Sequence, residues 1–327
     1  MKLVTFSSGA RVQHLGCLTG AGDGIVDLTA AAPGAGWSSS MLQLIEAGEQ
    51  GLAEASAALA DTERTGRHLV ASDLVTLHAP LPVPAQIRDF SVFPDHIRQA
   101  PSGMARIAAR RSGNLAALET IKPLADIPPV YLQQPIYYIT NRFSVVGPDA
   151  DVVWPAYSRI MDFELEFAAV IGRKGRDIAR EDALAHVFGY MIYNDFSARD
   201  TQNIEMQGML GPAKGKSFDG GNAMGPWLVT ADEIPDPQNL KMSVRVNGEI
   251  WAEGSSADML HGVADMIAYV SRHETIYPGE VFGSGTMGNG CGLEVDRYLA
   301  HGDVVTLSVE GLGELSNRVV MADGRAA

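Results

Sequence analysis

In the stretch Asp162–Val170 the chain alternates as far as Phe167: Phe163, Leu165 and Phe167 are apolar, and Asp162, Glu164 and Glu166 are acidic. A period of two is the pattern of a β-strand. Side chains two apart on a strand point the same way, so the apolar set enters a core and the three carboxylates share the other face. Adjacent anions repel, and a hard divalent cation bound through oxygen resolves the repulsion. A solvated strand edge is the competing reading of this segment taken alone.

Similar patterning organises the rest. Residues 2–30 read as short strands with a Gly-rich turn at 20–24. Met41 to Ala60, following Ser38-Ser39-Ser40, reads as a capped helix. Pro80-Leu81-Pro82-Val83-Pro84 is a stiff connector, and a domain boundary is placed there, dividing the chain into 1–84 and 85–327. Residues 96–125 carry Arg98, Arg106, Arg110 and Arg111 among alanines and leucines, as a helix or a mobile lid. Beyond residue 130 strands dominate, with helices expected at Glu181–Phe188 and Ser256–Ser271. In the latter, Ala257, Leu260, Val263, Ile267 and Val270 keep close to a 3.6-residue period. Helices and strands do not alternate regularly, which argues against a doubly wound parallel sheet.

Composition narrows the function. The 327 residues carry a formal charge of −14, opposite to what nucleic acid or an anionic membrane surface attracts. Thirty-five glycines suit a turn-rich β protein. Two cysteines, Cys17 and Cys291, exclude a disulfide framework and a cysteine-rich zinc site. The start turns polar at Ser7 without an apolar leader core, and no apolar run reaches the ~18 residues of a membrane span. The expectation is a cytoplasmic protein.

Two familiar motifs fail in context, and two others are absent. Gly283-Ser284-Gly285-Thr286-Met287-Gly288 satisfies G-x-G-x-x-G, but the residues after it, Leu293-Glu294-Val295-Asp296, alternate like a strand where a dinucleotide site needs a helix. Gly215-Lys216-Ser217 ends like a P-loop, yet the required glycine five residues earlier is Leu210. G-x-S-x-G and H-E-x-x-H do not occur.

Asp195 falls at the exit of the apolar run Gly189–Tyr193, a position for function or for capping the next turn. Here the residues become a recognisable set. Phe163-Glu164-Leu165-Glu166, Asn194-Asp195-x-Ser197-Ala198-Arg199-Asp200-x-Gln202, Gly215-Lys216-Ser217-Phe218, Gly283-Ser284-Gly285-Thr286 and the Gly302–Asn317 ending occur in this order. Over about residues 85–320 the chain resembles the fumarylacetoacetate hydrolase family. The resemblance implies an α+β, mostly β fold: a mixed β-sandwich roll with a small amino-terminal β domain. It also implies an active-site divalent cation, Mg²⁺ first, with Mn²⁺ or Ca²⁺ as alternatives.

By that resemblance Glu164, Glu166 and Asp195 are metal ligands. Asp89, seven residues before His96, matches the fourth ligand of the hydrolases, and Glu294, eight residues after Thr286, matches the carboxylate that orients their catalytic histidine. A histidine held by a carboxylate is a general base. Lys216 is the expected oxyanion donor; Arg199, Gln202, Thr286 and Tyr138 are expected to contact substrate. Tyr137 and Arg142 line the pocket or serve the core. Two departures, Ser91 and Asp219-Gly220-Gly221-Asn222, stand where the family's hydrolases carry other residues, and separate this chain from fumarylacetoacetate hydrolase itself. The expected activity is metal-dependent hydrolysis of a carbon–carbon bond in a 1,3-dicarbonyl compound, an anionic diketo acid such as an acylpyruvate, in aromatic catabolism. A decarboxylase or isomerase is the alternative, and a homodimer the expected assembly.

Overall fold

The computed structural model describes residues 1–9 and 12–322; positions 323–327 of the second expected domain lie outside the described residues. Two large sheets, a small two-stranded ladder and a helical layer make up the described residues. The large sheet has twelve strands, and through its middle run, side by side, Gln86–Ser91, Glu280–Gly283, Leu165–Ile171, Val187–Asp195 and Asn222–Thr230. A second sheet of five strands, from Asp151–Trp154, Lys241–Val246, Glu249–Ser255, Val304–Val309 and Gly313–Met321, packs against it. The layers form a strand-rich mixed α/β architecture, not a closed barrel.

The Leu165–Ile171 strand shows why the alternation matters. Phe163, Leu165, Phe167, Ala169 and Ile171 enter the core with Val244 and Leu307 of the five-stranded sheet. Ala168 and Val170 enter a second core, with Leu44 and Ile45 of the Met41–Thr65 helix and with Leu3 and Val26. Both faces are therefore covered, which removes the solvated-edge reading. The amino-terminal strands add to the same sheet: Lys2–Ser7 pairs antiparallel with Asn222–Thr230, Leu3 opposite Leu228.

Several elements differ from expectation for local reasons. Phe163 interrupts the strand, so Met161–Asp162 forms a separate pair with Ser197–Ala198 and Asp162 leaves the acidic row. The periodic stretch from Ser256 is not one helix. Ser256 Oγ donates to the Pro237 carbonyl and accepts from the Leu240 amide, holding a short 3₁₀ turn, and the helix proper is Val263–Val270, its start fixed by Asp265 accepting from the Gly262 amide. The expected helix at Glu181–Phe188 is a 3₁₀ segment, Arg180–His186. Residues Gly292–Val295 make a helical turn instead of a strand, closed by Asp296 in the left-handed region (φ 57°).

The arginine-rich segment is the Pro94–Ser112 helix, and its arginines tether it. Arg106 Nη2 donates to the carbonyls of Leu293 and Glu294, both at 3.1 Å, and Arg110 pairs with Asp296. Close approach depends on Gly103, where an added Cβ would lie 2.4 Å from the Leu293 carbonyl oxygen. No helix among the described residues is long and apolar enough to cross a membrane.

Gly103→Ala tests this junction. Alanine favours an isolated helix by roughly 0.5–1 kcal/mol, but overpacking against backbone costs about 1–3 kcal/mol. A net loss in Tm is expected, together with reduced turnover, because the helix carries His96; an unchanged or raised Tm would show that the helix does not bear on the turn.

Candidate metal centre

Strand register brings the four acidic residues together. Leu165 lies opposite Asn194, which sets Asp195 beside Glu164. Gly283 lies between Ala168 on one neighbouring strand and Asp89 on the other. Because Asp89 and Glu166 are two strands apart, the side chain between them must be absent: a Cβ on Gly283 would lie 2.7 Å from Asp89 Oδ1 and 2.8 Å from the Tyr193 ring. Asp89, Glu164, Glu166 and Asp195 are all buried, and each offers a carboxylate oxygen such that all four lie within 4.8 Å of one another.

One side of this cluster is neutralised. Lys216 Nζ bridges Glu164 Oε2, at 2.8 Å, and Asp195 Oδ2, which also accepts from the Tyr138 hydroxyl. Arg199 reaches Glu164 Oε1 through Nη1 and Asp162 Oδ2 through Nε, both at 2.7 Å. Glu166 Oε2 accepts from the Gly285 amide at 3.0 Å, and Gly285, at φ 76°, admits no side chain because a Cβ would lie 2.1 Å from the Phe90 carbonyl oxygen.

The other side is bare. Asp89 Oδ1, Glu166 Oε1 and Asp195 Oδ1 are buried with no hydrogen-bond partner. Buried polar atoms are rarely left so. Two cationic side chains, one of them shared with Asp162, do not balance four carboxylates. An all-oxygen donor set with three open atoms fits a hard divalent cation of the Mg²⁺, Mn²⁺ or Ca²⁺ kind.

Protonation shows the same imbalance. Burial first, then the neighbouring Asp195 charge, pushes Asp89 well above the usual carboxylate range; burial and Asp89 do the same to Glu166. Asp195 also rises through burial, offset in part by Lys216. Glu164 goes the other way: burial opposes its charge, but Lys216, Arg199 and His96 together hold it below the usual range. Lys216 is held above the ordinary lysine value, since Asp195 and Glu164 outweigh its burial.

The cluster lies at the floor of a cleft of about 1160 Å³, lined near the cluster by Asp89, Glu164, His96, Arg199, Lys216 and Thr286. His96 sits in the first turn of the Pro94–Ser112 helix, with Nδ1 3.4 Å from Glu294 Oε1; neither atom has a hydrogen-bond partner. The expected dyad is thus adjacent but loosely joined. Gln202 also lines the cleft, and its Oε1 accepts from Arg199 Nη1 at 2.9 Å. Thr286 Oγ1 and Arg199 Nη2 are buried and unpartnered. Tyr138, expected on substrate, also braces Asp195. Tyr137 lines the cleft and accepts from Arg88, whereas Arg142 donates to the Ala85 carbonyl and is absent from the lining.

Two participants were not legible as such. Asp162 turns away from the acidic row to accept from the Gly292 and Leu293 amides as well as Arg199, tying the Glu294 turn to the cluster. Cys291 donates its thiol to Glu294 Oε2 at 3.4 Å. Only the position of Cys291 three residues before Glu294 hinted at the second contact. The alternative role for Asp195 is excluded, since no side chain caps the Arg199–Glu205 helix.

Residues 107–320 match the family described as "Fumarylacetoacetate (FAA) hydrolase C-terminal". A human protein named "Oxaloacetate tautomerase FAHD2A, mitochondrial" is 35% identical over 325 residues, covering 98% of this chain and 92% of that one. "Oxaloacetate tautomerase YisK" of Bacillus subtilis (strain 168) is 30% identical over 258 residues, 79% of this chain and 77% of that one. Among solved structures, a fumarylacetoacetate hydrolase from psychrophilic Exiguobacterium antarcticum aligns with a TM-score of 0.72 at 30% identity, covering 98% of this chain and all of that one.

The raised carboxylates set a pH dependence. A group whose folded pKa exceeds its unfolded value holds its proton in the native state, so cation-free stability falls as pH rises from the unfolded value through the folded one; Glu164, shifted down, contributes in the opposite sense. A cation displaces the protons on Asp89, Glu166 and Asp195, so its affinity rises with pH. The Tm increment on adding Mg²⁺ or Mn²⁺ is expected to be larger at about pH 8 than at about pH 5.5, with proton release on binding. An increment independent of pH would contradict the assignment.

Proposed function

The chain belongs to the fumarylacetoacetate hydrolase family, and we propose that it interconverts the keto and enol forms of a 2-oxo acid at a divalent cation held by Asp89, Glu164, Glu166 and Asp195. The observation that carries this reading is the set of three unpartnered carboxylate oxygens, on Asp89, Glu166 and Asp195, next to a cleft that Asp89, Glu164 and His96 line. A divalent cation in such a site polarises a bound carbonyl and eases loss of a proton from the neighbouring carbon.

The protein's own groups supply the rest. Arg199 Nη2 is free to donate to the substrate carboxylate, with Gln202 beside it. Lys216 is fixed by Glu164 and Asp195; an ammonium has three N–H donors, which leaves one for an oxygen that gains negative charge. It is a charged donor, not a base. His96 moves the proton between carbon and the cleft, and Glu294 beside Nδ1 favours the imidazolium that forms. Relatives named as oxaloacetate tautomerases support the tautomerase reading.

Hydrolytic cleavage of a 1,3-dicarbonyl compound is the second reading, favoured by the His96–Glu294 contact, since a carboxylate-held imidazole also activates water. Both are tested by following oxaloacetate enol-to-keto conversion by absorbance, and acylpyruvate cleavage by release of two acids, with Mg²⁺ or Mn²⁺ and after chelation. Metal-dependent tautomerisation without acid release is expected. His96→Gln should lower kcat about 10²- to 10⁴-fold while cation binding persists. Acid release from acylpyruvate that the His96 variant abolishes would establish the hydrolase instead. Acceleration of neither reaction would sink both readings.

A further inference from the structure

Resting on the reading of the site as one for 2-oxo acids, we infer that the cleft prefers a substrate whose arm beyond the reacting carbons is apolar and uncharged: a 2-oxo monoacid bearing an aliphatic or aromatic group is turned over more efficiently than a compact dicarboxylate. The cleft has two zones. Its floor is the charged cluster. Its outer wall includes Ile97, Ala100, Met104 and Ala108, successive positions on one face of the Pro94–Ser112 helix. That stripe faces the cleft, and from the segment after the Arg199–Glu205 helix Met209 and Leu210 complete the wall, 90% and 98% exposed.

Charge argues in the same direction. Among the described lining residues the only lysine or arginine side chains are Arg199 and Lys216. Lys216 is committed to Glu164 and Asp195, and Arg199 retains one unpartnered nitrogen. One carboxylate is matched; a second is not. The helix's own cations do not help, because Arg98 faces Asp95 at 3.7 Å, Arg106 and Arg110 are turned to Asp296, and Arg111 is not among the lining residues. A second carboxylate in the outer zone would meet neutral side chains, Asn203 and Gln207 the polar ones beside the methionines and alanines, and would gain no counter-charge.

Size adds a third argument. At about 1160 Å³ the cleft exceeds the roughly 300–1,000 Å³ that holds drug-sized ligands, far beyond what a four-carbon diacid fills. Methionine's flexible thioether adapts to arms of differing shape.

Enolisation of any 2-oxo acid exchanges its C3 protons, so exchange into D₂O followed by NMR compares all substrates on one scale. Pyruvate, 2-oxohexanoate, 2-oxooctanoate, phenylpyruvate and oxaloacetate are assayed with the full-length protein and Mn²⁺ or Mg²⁺. From pyruvate to 2-oxooctanoate kcat/KM is expected to rise at least tenfold, a modest share of the roughly fourfold per buried methylene that transfer data allow, and to exceed that for oxaloacetate. Leu210→Arg, at a side chain in open solvent, should shift the kcat/KM ratio of 2-oxooctanoate to oxaloacetate at least fivefold toward the diacid. A flat chain-length series with oxaloacetate preferred, or an unchanged ratio in the variant, overturns the apolar arm and leaves the proton chemistry standing. Absence of catalysed exchange on every 2-oxo acid removes both.

Discussion

Four carboxylates buried in one place repel one another, and the arrangement around them answers that repulsion. The protein supplies two cations of its own, Lys216 and Arg199, both on one side. At an effective dielectric of about 20, like charges 4 Å apart repel by roughly 4 kcal/mol, and more than one such pair is present. Without a cation the cluster can relieve itself only by holding protons, which is the direction in which Asp89 and Glu166 are shifted. With one, the same oxygens become a cage. Competition between these two states is what separates the proposed cation site from a structural ion pair.

Backbone register, rather than side-chain preference, makes the cage. Asp89 and Glu166 meet across Gly283, and the loop after that strand delivers the Gly285 amide to Glu166 at a backbone angle that excludes other residues. Asp162, displaced from the acidic row by the break at Phe163, ties Arg199 and the Glu294 turn to the same centre. Gly103 and Arg106 then seat the His96 helix on that turn. His96, Glu294 and the four carboxylates are thus positioned by one connected set of backbone and side-chain contacts.

Much of this was legible in the residues. The period-two pattern placed Glu164 and Glu166 on one strand face, the ordered motifs of the family resemblance placed Asp195, Lys216 and Thr286 near them, and the seven-residue spacing to His96 added Asp89. Three features were not. Asp162 fits the alternation perfectly, so periodicity cannot show that Phe163 breaks the strand; that follows from Asp162 accepting from amides 130 residues away. Leu293-Glu294-Val295-Asp296 alternates, yet it turns helically because Arg106 and Asp162 hold its ends. Nor does the sequence distinguish hydrolysis from enolisation, because His96 and Glu294 serve either, and the 3.4 Å separation leaves their coupling loose.

Crystals equilibrated with Mn²⁺ and measured at its absorption edge locate the ion directly. A single dominant anomalous peak is expected among Asp89, Glu164, Glu166 and Asp195, about 2.0–2.6 Å from their facing oxygens. Absence of that peak at saturating Mn²⁺, or peaks confined to surface carboxylates, would contradict the cage and the chemistry assigned to it.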